Sequence, residues 1–109
     1  MEYPLCDQVV TVYRRRADTV LRQVLEGCYL DVQVTAVPGD DRQQRKFLLV
    51  VPGSVQRVFP GDRLVPGEGP QVTAGDWDRF LPVFQEDMLI VGTVKRFYWN
   101  GELCHVEAM

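Results

Sequence analysis

Serine and histidine are almost missing from this chain: Ser54 and His105 stand alone among 109 residues. Nucleophilic catalysis needs a nucleophile, a base within reach and a group that orients the base. Ser54 lies in a Pro-Gly turn with no elbow motif around it. Cys104 neighbours His105 on a predicted strand, so their side chains point to opposite faces. The sequence therefore argues against a Ser/His or Cys/His site. Cysteine is scarce too. Cys6, Cys28 and Cys104 are odd in number and widely spaced, which argues against a disulfide framework and for a reducing cytosol. They also lack the close pairing of structural zinc ligands. No apolar run approaches the roughly eighteen residues of a membrane span. The opening MEYPLCDQ has neither the basic start nor the apolar stretch of a secretory signal. Basic charge is not in excess: the net charge is −3, whereas tight non-specific nucleic-acid binding needs a basic footprint. GEGP follows a proline and leads into no predicted helix, a weak signal for a phosphate loop. Asp and Glu total 15, so paired-carboxylate chemistry survives on numbers alone. Neither Asp40-Asp41 in a loop nor Glu86-Asp87 before a strand has the apolar setting that lifts a carboxyl pKa. No cofactor and no metal are expected.

What is present is an ordinary globular balance, 46% apolar and 25% charged. The length fits one domain over residues 1–109 with a single core. Residues 88–109 organise the rest: MLIVGTVKRFYW and ELCHVEA flank Asn100-Gly101, the pairing that favours a type I′ hairpin turn. Setting Trp99 opposite Glu102 predicts Tyr98 opposite Leu103, Phe97 opposite Cys104 and Arg96 opposite His105. One face then carries Leu89, Val91, Phe97, Trp99, Cys104, Val106 and Ala108 toward a core, and the other carries Arg96, His105 and Glu107. KRFYWNG interleaves cations and aromatics as an oligonucleotide-stacking strand does, but this register turns Phe97 and Trp99 inward.

Upstream, residues 9–13 read as a β-branched strand running into Arg14, Arg15 and Arg16. That basic spot is either a solvated strand end or a contact for an acidic neighbour or phosphate. Residues 19–37 hold one long strand, or two with a break near Gly27; a helix over 17–25 competes for the first half. Cys28, Leu30, Val32, Val34 and Ala36 alternate with Tyr29, Asp31, Gln33 and Thr35, the pattern of a half-buried strand that turns Cys28 inward. Residues 38–44, with Asp40, Asp41 and Arg42, predict a projecting polar hairpin loop, either a partner contact or a bare tip. KFLLVV, residues 46–51, reads as the middle strand of the sheet, buried on both faces. Residues 52–75 hold too many prolines and glycines for more than one short strand, at 62–65. Asp76 is placed to cap one helical turn over 76–81, stopped by Pro82. Trp77 and Phe80 share one side of that turn, where they either seal a barrel end or meet a partner. The sum is all-β: a small single-domain antiparallel β-barrel or sandwich with long loops and at most one helical turn.

The order of these pieces, VTVYRR, VLEGCYL, FLLVVP, FPGDRLVPGEG, DWDRFLP and TVKRFYWNGELCHVEA, resembles the small head-closure or minor-capsid head–tail connector proteins of tailed phages and prophages, over residues 9–108. The resemblance implies a compact barrel assembled with copies of itself in a ring, between portal or adaptor and tail proteins. It implies a structural role without catalysis, located in the bacterial cytoplasm during assembly and in the virion if the prophage is active. No membrane is involved, and contact with DNA is at most weak and non-specific, since a mildly acidic conduit repels phosphate. Rings use heterologous contacts. The patches expected to meet are Arg14, Arg15 and Arg16 against the tip Asp40, Asp41 and Arg42, with Trp77 and Phe80 as further interface residues. Residues 52–75 are the expected reach toward a central channel. The alternative is a stand-alone OB-like or SH3-like barrel that binds a peptide or an oligonucleotide.

Overall fold

The structure, a computed structural model, describes residues 5–36, 39, 43–77 and 88–109. Its regular structure is strand, as the turn spacing requires: β1 Gln8–Arg16, β2 Thr19–Ala36, β3 Gln43–Pro52, β4 Arg63–Pro66, β5 Leu89–Ile90, β6 Val94–Trp99 and β7 Glu102–Ala108. All pair antiparallel in one sheet of order β5-β4-β1-β2-β3-β7-β6, curled into a half-barrel. No α-helix occurs among the described residues. β5 and β6 stand at opposite ends of the sheet yet follow one another in the chain, so residues 91–93 draw the ends together. Val91 exchanges backbone bonds with Gly61 and Asp62 (2.8 and 2.9 Å), and Thr93 exchanges two with Met109 (both 2.9 Å). The interior holds Val10, Val12, Leu25, Cys28, Leu49, Val51, Val58, Leu64, Leu89, Val91, Val106 and Ala108.

Burial on both faces falls on β1 and not on residues 46–51. Val10, Thr11, Val12 and Tyr13 are all buried. Val10 and Val12 face the interior, while Tyr13 packs with Val65, Val72 and Met88 on the other side. That outer side is roofed by the glycine-rich strap after β4. Tyr13 Oη donates to Pro70 O (2.7 Å). Thr11 Oγ1 donates to Gly67 O (2.7 Å) and accepts from Gly69 N (2.8 Å). Arg22 donates to Gly69 O through Nε and Nη2 at 2.9 and 2.5 Å. A side chain on Gly69 would run into the Tyr13 hydroxyl, so glycine is what lets the strap lie this close. The Pro/Gly-rich stretch is thus bound to the body, with Val58, Asp62 and Val72 buried. In KFLLVV, Leu49 and Val51 are buried but Leu48 and Val50 only half so. The run is apolar on its outer side without being fully covered there, and the middle strand of the sheet is β2.

β2 has 18 residues. At about 3.3 Å per residue it would span about 60 Å if straight, more than the longest dimension of the molecule, 45 Å. It bends at Gly27, where φ is 68°. An extra residue on β2 shifts the register there, so Gln8 faces Cys28 but Val10 faces Leu25. The helix considered for 17–25 does not form, because residues 19–25 pair with β1 from Arg16↔Thr19 to Val10↔Leu25. Beyond the bend, β2 pairs only with β3, from Tyr29↔Val50 to Ala36↔Gln43. β1 begins at Gln8, and β7 follows β3 only as far as Leu49↔Ala108. The outer parts of β2 and β3 therefore stand out as a two-stranded arm. Cys28 is buried as the alternation predicts, but the same face continues into Val32 and Val34, 39% and 54% exposed. The inward face of the strand runs off the end of the body. A radius of gyration of 14.8 Å, against about 13 Å for a compact chain of this length, agrees with such an extension.

The C-terminal hairpin turns at Asn100 and Gly101, with φ 51° and 80°. Trp99↔Glu102 and Tyr98↔Leu103 pair as predicted. Past them Cys104 is an extra residue in β7, so Phe97 faces His105 and Arg96 faces Val106. The expected Phe97–Cys104 and Arg96–His105 pairs are off by one, and a slip of one moves side chains to the other face. Phe97 turns outward and stacks on His105, centroids 4.6 Å apart and planes 9° from parallel. The bulge lets β7 keep Val106 and Ala108 in the core. Residues 88–99 are not one strand: Leu89 and Ile90 pair with β4, and residues 94–99 with β7. Thr73, not Asp76, opens the turn after the strap. Asp76 N donates to Thr73 Oγ1 (3.2 Å), and Thr73 N donates to Asp76 Oδ2 (3.4 Å), the reciprocal arrangement of a capping box. Residues 78–81, with Phe80, lie outside the described residues.

Candidate interaction surfaces

β1 carries three arginines to one end of the body, and they are not equivalent. Arg14 grips Asp62 through Nε–Oδ1 and Nη2–Oδ2, both 2.8 Å. Its guanidinium lies over the Phe59 ring, 4.3 Å from the centroid. Asp62 is 1% exposed and also accepts from Phe59 N at 2.9 Å. Bidentate pairing with a buried carboxylate is the strong form of this contact, and the bond to Asp62 holds the Arg14 pKa above its ordinary value. Arg14 is therefore committed to the fold. Any contact with an acidic tip falls to Arg15 and Arg16, both exposed and without an ion pair among the described residues. Trp77 is half-buried, packs against the Tyr13 cluster and lies under Arg63, whose Cζ is 3.9 Å from the ring centroid. Arg14, Arg15, Phe59, Asp62 and Trp77 surround an open depression of about 440 Å³. Of the interface residues expected from sequence, Arg14, Arg15 and Trp77 meet around this depression and Arg16 does not line it. Asp40, Asp41, Arg42 and Phe80 lie outside the described residues. Asp62 and Phe59 were missed; only their pairing with a strand 48 residues earlier gives Asp62 its role.

Two further surfaces carry exposed apolar side chains. The arm presents Val32 and Val34, and at its root Lys46, Phe47, Ile90, Gly92 and Met109 line an open depression of about 470 Å³. β6 presents Phe97, Tyr98 and Trp99, 39%, 57% and 65% exposed. Its Lys95 and Arg96 are exposed and make no ion pair among the described residues. Trp, Tyr and Arg are the residue types that dominate the energetics of protein contacts. The bulge at Cys104 is what turns Phe97 outward, and no turn residue in the sequence signals it.

The remaining chemistry is modest. His105 Nε2 lies 3.1 Å from Glu107 Oε2, while Cys104 Sγ points toward Glu102 O at 3.8 Å. The three cysteines are free thiols. Burial pushes the Cys28 pKa up to about 11, with Cys6 adding to the rise and Arg57 opposing it. A thiol of that kind stays protonated and inert at neutral pH. Burial likewise raises the Tyr13 pKa, partly countered by its bond with Arg22. Among the described residues no three of His, Cys, Asp and Glu are placed to hold a metal ion, and no helix is long and apolar enough to cross a membrane. Family models, curated proteins and solved structures give no match to this chain.

Proposed function

We propose that this chain is a structural connector of a phage or prophage particle, a head-closure or minor-capsid component at the portal–tail junction, working without catalysis. The observation that carries this reading beside the sequence resemblance is the arm. A two-stranded ribbon is marginal in water by itself, and one that shows Val32 and Val34 to solvent is shaped to be covered in an assembly. Copies of the chain form a ring, with portal or adaptor on one side and tail proteins on the other. Arg15 and Arg16 sit where β2 begins, Arg16 facing Thr19, and Asp40 and Asp41 follow β2 in the sequence. Opposite charges on either side of one strand in the sequence suit head-to-tail contact. A net charge of −3 favours a conduit to which DNA does not adhere. Assembly takes place in the bacterial cytoplasm, with the finished protein in the virion if the prophage is active.

Deleting the chain from an inducible lysogen tests this. The expected lysate holds heads that lose packaged DNA and carry no tails. Normal tailed, infectious particles overturn the proposal. One observation favours a second reading, a small barrel module for an oligonucleotide: Lys95, Phe97 and Trp99 share the outer face of β6, with both rings exposed. Saturable quenching of tryptophan fluorescence by poly(dT), abolished by Trp99→Ala, would favour it over the connector.

A further inference from the structure

Several edges of the sheet meet no described strand, and two of them are long enough and differ in charge. One is β6, last in the sheet order. The other is the side of β2 turned away from β3, beyond the point where Gln8 pairs with Cys28. Unpaired edges template the addition of another strand. We infer that these two edges pair with each other between copies: the outer half of β2 in one molecule adds as a strand to β6 of the next.

Charge and side-chain type select this pairing. β6 reads VKRFYW, with Lys95 and Arg96 exposed; the β2 edge reads DVQVTA, with Asp31 exposed, and none of the three has an ion pair among the described residues. The arm's other edge, on β3, carries the exposed Lys46, so it does not complement β6. The apolar groups left in solvent are Val32 and Val34 on one edge and Phe97, Tyr98 and Trp99 on the other. An antiparallel register that sets Asp31 opposite Lys95, both on the outer face, also sets Tyr29 opposite Phe97 and Val32 opposite Val94, and aromatic pairs across strands are favourable.

Topology makes the partner a second copy. In the run β2-β3-β7-β6 the free edge of β2 faces away from β3 and that of β6 faces away from β7. Three strand spacings of about 4.8 Å separate them, and they look in opposite directions. A single molecule cannot join them, whereas a second placed beside it continues the sheet. Val94 is level with Ala108, Leu49 and Leu30, while the arm runs outward from Leu30. Successive copies therefore step along the strands as well as sideways. The contact is heterologous, and the rotation per step decides between a closed ring and an open filament. This rests on the connector reading in that copies are taken to assemble, and it names the contact they use.

Charge-swap complementation in the full chain, read by sedimentation velocity over a concentration series, is the test. Lys95→Glu and Asp31→Arg lie at exposed edges on the same outer face of the continued sheet, and circular dichroism checks that each folds. Each single variant is expected to weaken self-association roughly tenfold. An equimolar mixture of the two is expected to regain it, because every contact in an alternating array again joins opposite charges. The inference is overturned if the single variants associate like the parent chain, if the mixture stays as weak as its components, or if the parent chain remains monomeric to about 1 mM. A monomer leaves the connector reading standing, since the lysogen deletion judges that separately. Restored association in the mixture beside an unaffected lysate would overturn the connector alone.

Discussion

The two halves of β2 alternate alike and meet opposite fates. Residues 19–28 pair with β1, with Leu25 and Cys28 in the core and Arg22 reaching out to the strap at Gly69, 47 residues away. Residues 29–36 continue the same alternation, yet Val32 and Val34 face water. Alternation in a strand tells which face is apolar. Whether anything stands opposite that face depends on segments far off in the chain. In the first half β1 and the strap supply the cover; in the second half β1 has not begun and β7 has already ended.

The sharpest way to break the comparison is in the shared core. Leu49→Asp places an unpaired charge at a site of 0% exposure, a penalty of several kcal/mol that uses up most of a small domain's stability. No cooperative unfolding transition is expected by circular dichroism. Leu48→Asp, one residue away on the half-covered face, is expected to fold and to lose about 1 kcal/mol. Next in size is the strapped end. Arg14→Ala leaves the Asp62 carboxylate buried without its cation and is expected to cost about 3 kcal/mol in urea denaturation. Arg15→Ala and Arg16→Ala should stay within about 0.5 kcal/mol, since both are exposed. Three equal effects would mean that the Arg14–Asp62 pair does not anchor this end.

A smaller effect probes the strap itself. Tyr13→Phe removes the bond to Pro70 O, at a cost of about 1 kcal/mol, and amide exchange at Gly67 and Gly69 should quicken with it. Alkaline pH sharpens the same region further. Cys28 ordinarily titrates near 9.0 and in the fold near 11. Between those values the unfolded chain gives up a proton that the native state keeps, so stability falls as pH rises through that window and is unaffected by this group below it. Urea midpoints from about pH 8 to about pH 10.5 should decline more steeply in the parent chain than in Cys28→Ala.

Much of the fold is legible in the residues. Asn100-Gly101 fixes the hairpin turn, the breakers confine β4 to four residues, and Cys28 points inward because it leads an apolar alternation. What escapes reading is set by partners distant in sequence. Thr11 is buried because Gly67 and Gly69 bond to it, and a lone threonine in a strand carries no mark of that. KFLLVV looks buried on both faces because apolar residues tolerate half-exposed positions without a sequence signature. The candidate surfaces divide in the same way. Arg15 and Arg16 are exposed, as a basic spot implies, while Arg14 is withdrawn by Asp62. The outward turn of Phe97 follows from a bulge that no glycine announces.

The least disruptive change separates the two halves of β2 most directly. Val34→Asp sits on the face that, lower down, contains Cys28 and Leu30, so the alternation alone predicts a core substitution costing several kcal/mol. Its side chain is 54% exposed, and water already solvates the site, so the expected loss is below about 0.5 kcal/mol. Exchange at the amides of residues 31–36 should be faster than at residues 20–25 in parent and variant alike, because opening the arm exposes little core whereas opening residues 20–25 exposes Leu25 and the strap contact of Arg22. A loss as large as that of Leu49→Asp would show that the arm folds back and is covered within the molecule. That would remove the uncovered β2 edge as well as the reason to look for a second copy beside it.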